Sequence, residues 1–106
     1  ARVKAITDGR GVKAVYDSVG ADTFMKSLDC LMPFGLIATY GNASGKVPPL
    51  DIGVLAAKGS LYVTRPTLFT HIATQERTQQ MADDLFGMVT SGQVSIRITG
   101  SSVLLP

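Results

Sequence analysis

Apolar residues recur along this chain in runs of two kinds, some with helical spacing and some continuous. From Ala21 to Met32, Phe24, Leu28 and Leu31 stand at i, i+4 and i+7, which is one face of an amphipathic helix. Asp22 falls in the first turn, where a negative charge suits the helix dipole, and Pro33 should end the helix. A longer helix is predicted from Thr74 to Ser91, with Met81, Leu85, Met88 and Val89 at helical spacing and Gly92 closing it. Ala1 to Thr7 reads as the tail of a helix with no capping residue ahead of its apolar positions, which hints at a fragment.

Between these lie strand-like segments. Val12 to Asp17 is rich in β-branched and aromatic residues and is bounded by Gly9-Arg10-Gly11 and Ser18-Val19-Gly20. Phe34 to Tyr40 is apolar without alternation, as a strand reads when helices cover both of its faces in a parallel sheet. Gly41 to Gly45 is a loop, Asp51 to Ala57 holds a helical turn or two, and Leu61 to Thr64 is a third strand stopped at Pro66. Val94 to Ile98 alternates as a half-exposed strand does, and Val103 to Leu105 forms a last short one. Strand, helix, strand, crossover, strand is the signature of an α/β fold with a parallel sheet.

Composition narrows the function classes. The 106 residues carry ten Lys or Arg against eight Asp or Glu, and the cations are scattered, so no basic stripe tracks a nucleic-acid backbone. No apolar run approaches the roughly 20 residues that span a bilayer. Cys30, the single cysteine, cannot form an internal disulfide, which fits a reducing cytoplasm, and between Leu28 and Leu31 it reads as a buried structural thiol. His71 is the only histidine and is placed in a loop, with no Cys or carboxylate at metal-ligand spacing. Neither a Gly-x-Gly-x-x-Gly nor a Gly-Lys-Ser/Thr loop is present, and Ser44 and Ser60 have no histidine base nearby.

Ligands of open parallel sheets bind at the carboxyl ends of the strands. Those ends are Asp17 to Gly20, Tyr40 to Ala43 and Val63 to Pro66. They offer small residues and polar side chains along one edge, which suits an extended ligand such as a dinucleotide, although glycine and serine after a strand are also ordinary turn residues. Asp17 reads as a turn former or as the anion at a helix N-terminus rather than as a catalytic group. Tyr40 and Arg65 have equally plain readings, a core cap with its hydroxyl in water and a solvated charge. From the residues alone the chain is the second half of a nucleotide-binding α/β sheet.

Three blocks carry a family likeness: Ala14 to Gly20 (Tyr16-Asp17-Ser18-Val19-Gly20 at its end), Ser27 to Leu31 with Gly35 and Tyr40 to Gly45, and Lys58 to Pro66 with its Tyr-Val-Thr-Arg-Pro. With Gly100 to Pro106 they resemble the carboxyl-terminal part of bacterial NADPH:quinone oxidoreductases, zinc-free and zeta-crystallin-like members of the medium-chain dehydrogenase/reductase superfamily. The resemblance implies half of a Rossmann-type doubly wound sheet over residues 1–68. Residues 69–106 would be a helix and strands that return to a catalytic domain. It implies NADPH as cofactor, a quinone as acceptor, no metal and no catalytic side chain within this stretch. Ser18 and Gly20 would lie toward the adenosine and pyrophosphate, Tyr40, Gly41 and Asn42 toward the pyrophosphate and nicotinamide ribose, and Val63, Thr64 and Arg65 toward the nicotinamide. A homodimer through Leu61 to Thr64 is implied as well.

Two other readings stand beside it: an assembly module that dimerises without binding nucleotide, and a reductase of enones or enoyl thioesters. Relatives usually carry a helix-bearing stretch before the last strand, where this chain has only Thr99 to Ser102, so a segment is expected to have been dropped between Ile98 and Thr99.

Overall fold

The computed structural model describes residues 1–104 and divides into two compact units, Ala1–Thr67 and a second beginning at Leu68. The first opens with helix α1 (Arg2–Ile6), then β1 (Val12–Asp17), α2 (Phe24–Asp29), β2 (Leu31–Thr39), α3 (Gly53–Ala57) and β3 (Tyr62–Thr64). The three strands form one sheet in the order β1-β2-β3, and both pairings are parallel. Val15 lies opposite Ile37, which in turn lies opposite Val63. The expected α/β architecture with a parallel sheet is therefore present, and the three strands run in one direction.

The core forms between the sheet and α2. Phe24 and Leu28 from the helix, Leu31 and Ile37 from β2, and Leu61 just ahead of β3 are all buried, with Val12, Val15, Val47, Leu50, Val54 and Leu55 packed around them. Phe24, Leu28 and Leu31 share that core as their spacing predicts, but Leu31 does so from a strand. The helix expected over 21–32 spans only Phe24–Asp29. Val12 donates its N–H to the Cys30 carbonyl at 2.9 Å and pairs with Leu31, which draws the chain into the sheet before Pro33 is reached. Cys30, expected inside the helix, follows it as the C-cap and is half-buried.

The early entry into β2 leaves surplus residues. The register steps from Val12↔Leu31 to Ala14↔Leu36, so the residues between Leu31 and Leu36 bulge from the ladder. Phe34 takes the left-handed region there (φ 63°), a strained conformation for an aromatic residue, and donates its N–H to the Gly59 carbonyl at 2.8 Å. Gly59 admits this approach because it has no side chain: a Cβ there would stand 3.1 Å from the Cα of Pro33.

In the second unit, α4 (Leu68–His71) precedes α5 (Gln75–Thr90). His71 thus ends a short helix instead of lying in a loop. Thr74 caps α5, its hydroxyl accepting the Arg77 N–H at 3.2 Å, and Gly92 follows with φ 80°. The strand expected over 94–98 is absent; these residues and Val103 and Leu104 are irregular and exposed. A strand needs a hydrogen-bonded neighbour, and none pairs with them among the described residues. The last residue of the expected strand Val103 to Leu105 lies outside the described residues.

Ile37 is fully buried in the central strand. Ile37→Ala should lower the unfolding free energy by about 2–5 kcal/mol, read as a fall in the urea midpoint at unchanged slope.

Candidate functional site: a rim of strand ends

Parallel pairing puts Asp17 beside Thr39 at the ends of β1 and β2, with Thr64 following at the end of β3 beside Ala38. At the first of these ends sits a buried carboxylate. One Asp17 oxygen accepts the N–H groups of Val19 (2.9 Å) and Gly20 (3.0 Å); the Thr23 hydroxyl donates across both oxygens and the Ser27 hydroxyl donates to the second at 2.7 Å. Burial pushes the Asp17 carboxyl up, but the hydrogen bonds from Ser27, Gly20, Thr23 and Val19 outweigh it and hold the group below its ordinary value. Asp17 forms the turn and anchors α2, as its position in the sequence suggests, and it has no spare lone pair facing a ligand.

The loops after β1 and β2 then clasp each other backbone to backbone. Ala43 and Ser44 donate N–H groups to the carbonyls of Ser18 and Val19 at 3.3 and 2.7 Å, and Ala21 donates to the Gly45 carbonyl at 3.1 Å. The Ser44 hydroxyl bridges the two loops, donating to Val19 O at 2.8 Å and accepting the Asp22 N–H at 3.0 Å. Gly20 and Gly41 are required by this contact. A Cβ on Gly20, which has φ 95°, would fall 2.5 Å from the Gly45 carbonyl oxygen, and one on Gly41 would fall 2.3 Å from that of Ser18. Their small size serves the fit of one loop against the other.

Beyond the clasp a cavity of about 370 Å³ opens at the ends of β2 and β3. Asn42, Val63 and Arg65, three residues expected from the sequence to meet a ligand, line it. Phe24, expected from the sequence on the apolar face of a helix, completes the wall with Thr39, Lys46, Val47 and Leu50; these last four are not singled out by the sequence, because Lys46 to Leu50 lie in a connecting stretch without period and Thr39 sits inside an apolar run. Ser18 lies instead in a smaller depression of about 200 Å³ with Tyr16, Asp17 and Thr23. Tyr40 is exposed, its N–H donated to the Asp17 carbonyl at 2.9 Å, and Thr64 is exposed at the end of β3. The expected residues thus share the rim, but only three of them line one cavity.

The Thr39 hydroxyl is buried and has no hydrogen-bond partner among the protein atoms. Buried hydroxyls normally find one. It is the orphaned polar group of this wall, and the fit of a polar ligand to the cavity rests on it together with Asn42, Lys46 and Arg65.

Comparison with known proteins decides the family. The zinc-binding dehydrogenase family matches residues 1–88. The chain belongs to that family. It is 46% identical to a quinone oxidoreductase of Pseudomonas aeruginosa, over 99% of this chain and 39% of that protein. A quinone oxidoreductase of Escherichia coli, solved in complex with NADPH, superposes with a TM-score of 0.83 at 46% identity, over 92% of this chain and 30% of that one. A 2-haloacrylate reductase from Burkholderia is 45% identical over 85% of this chain and 27% of its own length. The chain therefore spans about a third of the length of the relatives it matches, and the likeness carried by Tyr-Asp-Ser-Val-Gly and Tyr-Val-Thr-Arg-Pro holds along nearly all of it.

The family's description names zinc, and the described residues do not fit that metal. No three His, Cys, Asp or Glu side chains among them stand close enough to hold an ion.

Two outcomes follow from the buried polar groups. Because Asp17 titrates below its ordinary value when folded, its contribution is complete above that value and is lost as pH falls through the folded one. Stability should therefore drop below about pH 4, and Asp17→Ala, which strands the Ser27 and Thr23 hydroxyls and two amides, should cost about 3 kcal/mol at neutral pH and blunt the acid limb of the stability curve. Thr39→Val removes a hydroxyl without a partner, so ligand-free stability should stay level or rise by about 1 kcal/mol, measured by urea unfolding.

Proposed function

We propose that this chain is the cofactor-binding part of an NADPH-dependent quinone reductase, residues 1–68 forming half of the Rossmann-type sheet and residues 69–106 returning to a catalytic domain. The observation that carries the reading is the common rim: parallel strands deliver Ser18, Gly20, Tyr40, Gly41, Asn42, Val63, Thr64 and Arg65 to one edge, the edge at which open α/β sheets take dinucleotides. The NADPH bound by the Escherichia coli relative supports the choice of cofactor. A nicotinamide cofactor supplies the hydride, and this chain's share is to orient it and keep water away. Val63, Val47, Leu50 and Phe24 give an apolar wall for that purpose, and Asn42, Lys46 and Arg65 give polar anchors. The acceptor is a quinone, as the names of the relatives suggest.

β3 is the edge strand of the sheet, and its outer side has no hydrogen-bonded neighbour among the described residues. Pairing of the stretch Leu61 to Thr64 with its counterpart in a second copy would complete a homodimer. The alignment with the Pseudomonas relative extends over 126 positions, more than the 106 residues of this chain, which supports a stretch in that relative with no counterpart here; we assign it to the junction of Ile98 and Thr99. No described helix is long and apolar enough to cross a membrane, and a cytoplasmic setting accords with the lone cysteine.

A second reading has its own support. The 2-haloacrylate reductase relative, 45% identical, reduces by its name an activated alkene, so the acceptor here could equally be an enone or a related unsaturated acyl compound. The full-length protein carrying this chain should oxidise NADPH, followed by nicotinamide absorbance, when a benzoquinone is added. Turnover only with an enone or a haloacrylate would move the assignment to the second reading, and a protein that dimerises but binds no NADPH would leave an assembly role. Residues 1–106 alone should not turn over.

A further inference from the structure

The clasp between the two loops has a consequence for charge. An anion at the end of a parallel strand is ordinarily met by backbone N–H groups of the following loop. Here the amides of Ala43, Ser44 and Gly45 are already donated, to the carbonyls of Ser18, Val19 and Asn42. With those three amides committed, charge falls to the side chains, and two of the cavity's eight lining residues are cations, Lys46 after β2 and Arg65 after β3. No carboxylate lines that cavity, and among the described residues neither cation is ion-paired; Arg65 donates to the Pro66 carbonyl at 2.9 Å. The same wall holds the unpartnered Thr39 hydroxyl, a polar group nine-tenths buried. Val47, Leu50 and Val63 line the same cavity.

The geometry points to an anion-binding site in which Lys46 and Arg65 grip a phosphate or carboxylate while the apolar body of the same ligand lies on Val47, Leu50 and Val63. The inference extends the reductase reading: it assigns to Lys46, in a connecting stretch without a motif, the role of a specificity residue, and it gives the ligand a negative charge. That charge has two sources, a phosphate of the nicotinamide cofactor or the carboxylate of an unsaturated acid serving as acceptor. A neutral quinone can accept hydrogen bonds from the two cations but carries no net charge for them to attract.

The test uses the full-length protein, with Lys46→Ala and Arg65→Ala singly and together, and thermal unfolding to confirm that each variant folds. Calorimetric titration with inorganic pyrophosphate and with sodium acrylate reads the anion site directly, without reference to any reaction. Binding of at least one should weaken about tenfold for each cation removed, should weaken with added salt, and should return in the charge-preserving Lys46→Arg. A rise in the NADPH dissociation constant in the double variant identifies the cofactor as the source. A rise in KM for a haloacrylate that exceeds any change in NADPH affinity and in the KM for benzoquinone identifies the acceptor. Pyrophosphate and acrylate binding that is absent in the wild type or unaltered in the folded double variant overturns the site. Wild-type protein that binds neither NADPH nor any acceptor, yet loses pyrophosphate binding with the two cations, would end the reductase reading and leave the anion site standing.

Discussion

Parallel hydrogen bonding is the constraint from which the rest of this structure descends. Once β1, β2 and β3 pair in one direction, Asp17, Thr39 and Thr64 lie along one edge, and the loops that follow must share it. The amino-terminal edge receives no such convergence; there the surplus residues between Leu31 and Leu36 are taken up in a bulge against Gly59. The sheet therefore has one edge built of connecting loops in mutual contact and one that absorbs irregularity. The proposed site belongs to the first.

How those loops meet decides what kind of site they make. Crowding at the edge forces Gly20 and Gly41 to lack side chains, and it consumes amides that a more open loop would present to a phosphate. Rigidity is gained at the cost of free donors. The polar contacts proposed for a ligand fall to side chains one step further out, Asn42 and Lys46 beside the clasp and Arg65 past the end of β3. Side-chain recognition is more selective for ligand shape than a ring of amides, but it depends more heavily on salt, because exposed cations are screened.

Much of this was legible in the sequence, and the exceptions have physical causes. β1 and α3 fall where their composition puts them, and α5 ends within a residue of its predicted limits because Thr74 and Gly92 are unambiguous punctuation. Leu31 misled the reading of α2: it satisfies helical spacing from Phe24 and Leu28, yet the same core is reached from the first position of β2, and the backbone chooses the strand because Val12 offers it a partner. The alternation over 94–98 predicts a strand truly only if a neighbour exists, and periodicity in one segment says nothing about neighbours. The rim was legible because strand ends are; the wall formed by Lys46, Val47 and Leu50 was not, because a connecting stretch has no period and its side chains find their places only when the sheet beneath them is assembled.

Two buried polar side chains at adjacent strand ends show where structure stops and function begins. Asp17 is saturated: two amides and two hydroxyls surround it, and its charge is spent on fixing the turn and the start of α2. Thr39, its neighbour across the ladder, has nothing. A fold under no constraint but stability would place valine there, since the shape is nearly the same and the strand favours it equally. A hydroxyl without a partner in the wall of a cavity lined also by two cations accords with the proposed ligand role, and it separates the residue that builds the rim from the one whose hydroxyl the protein leaves open.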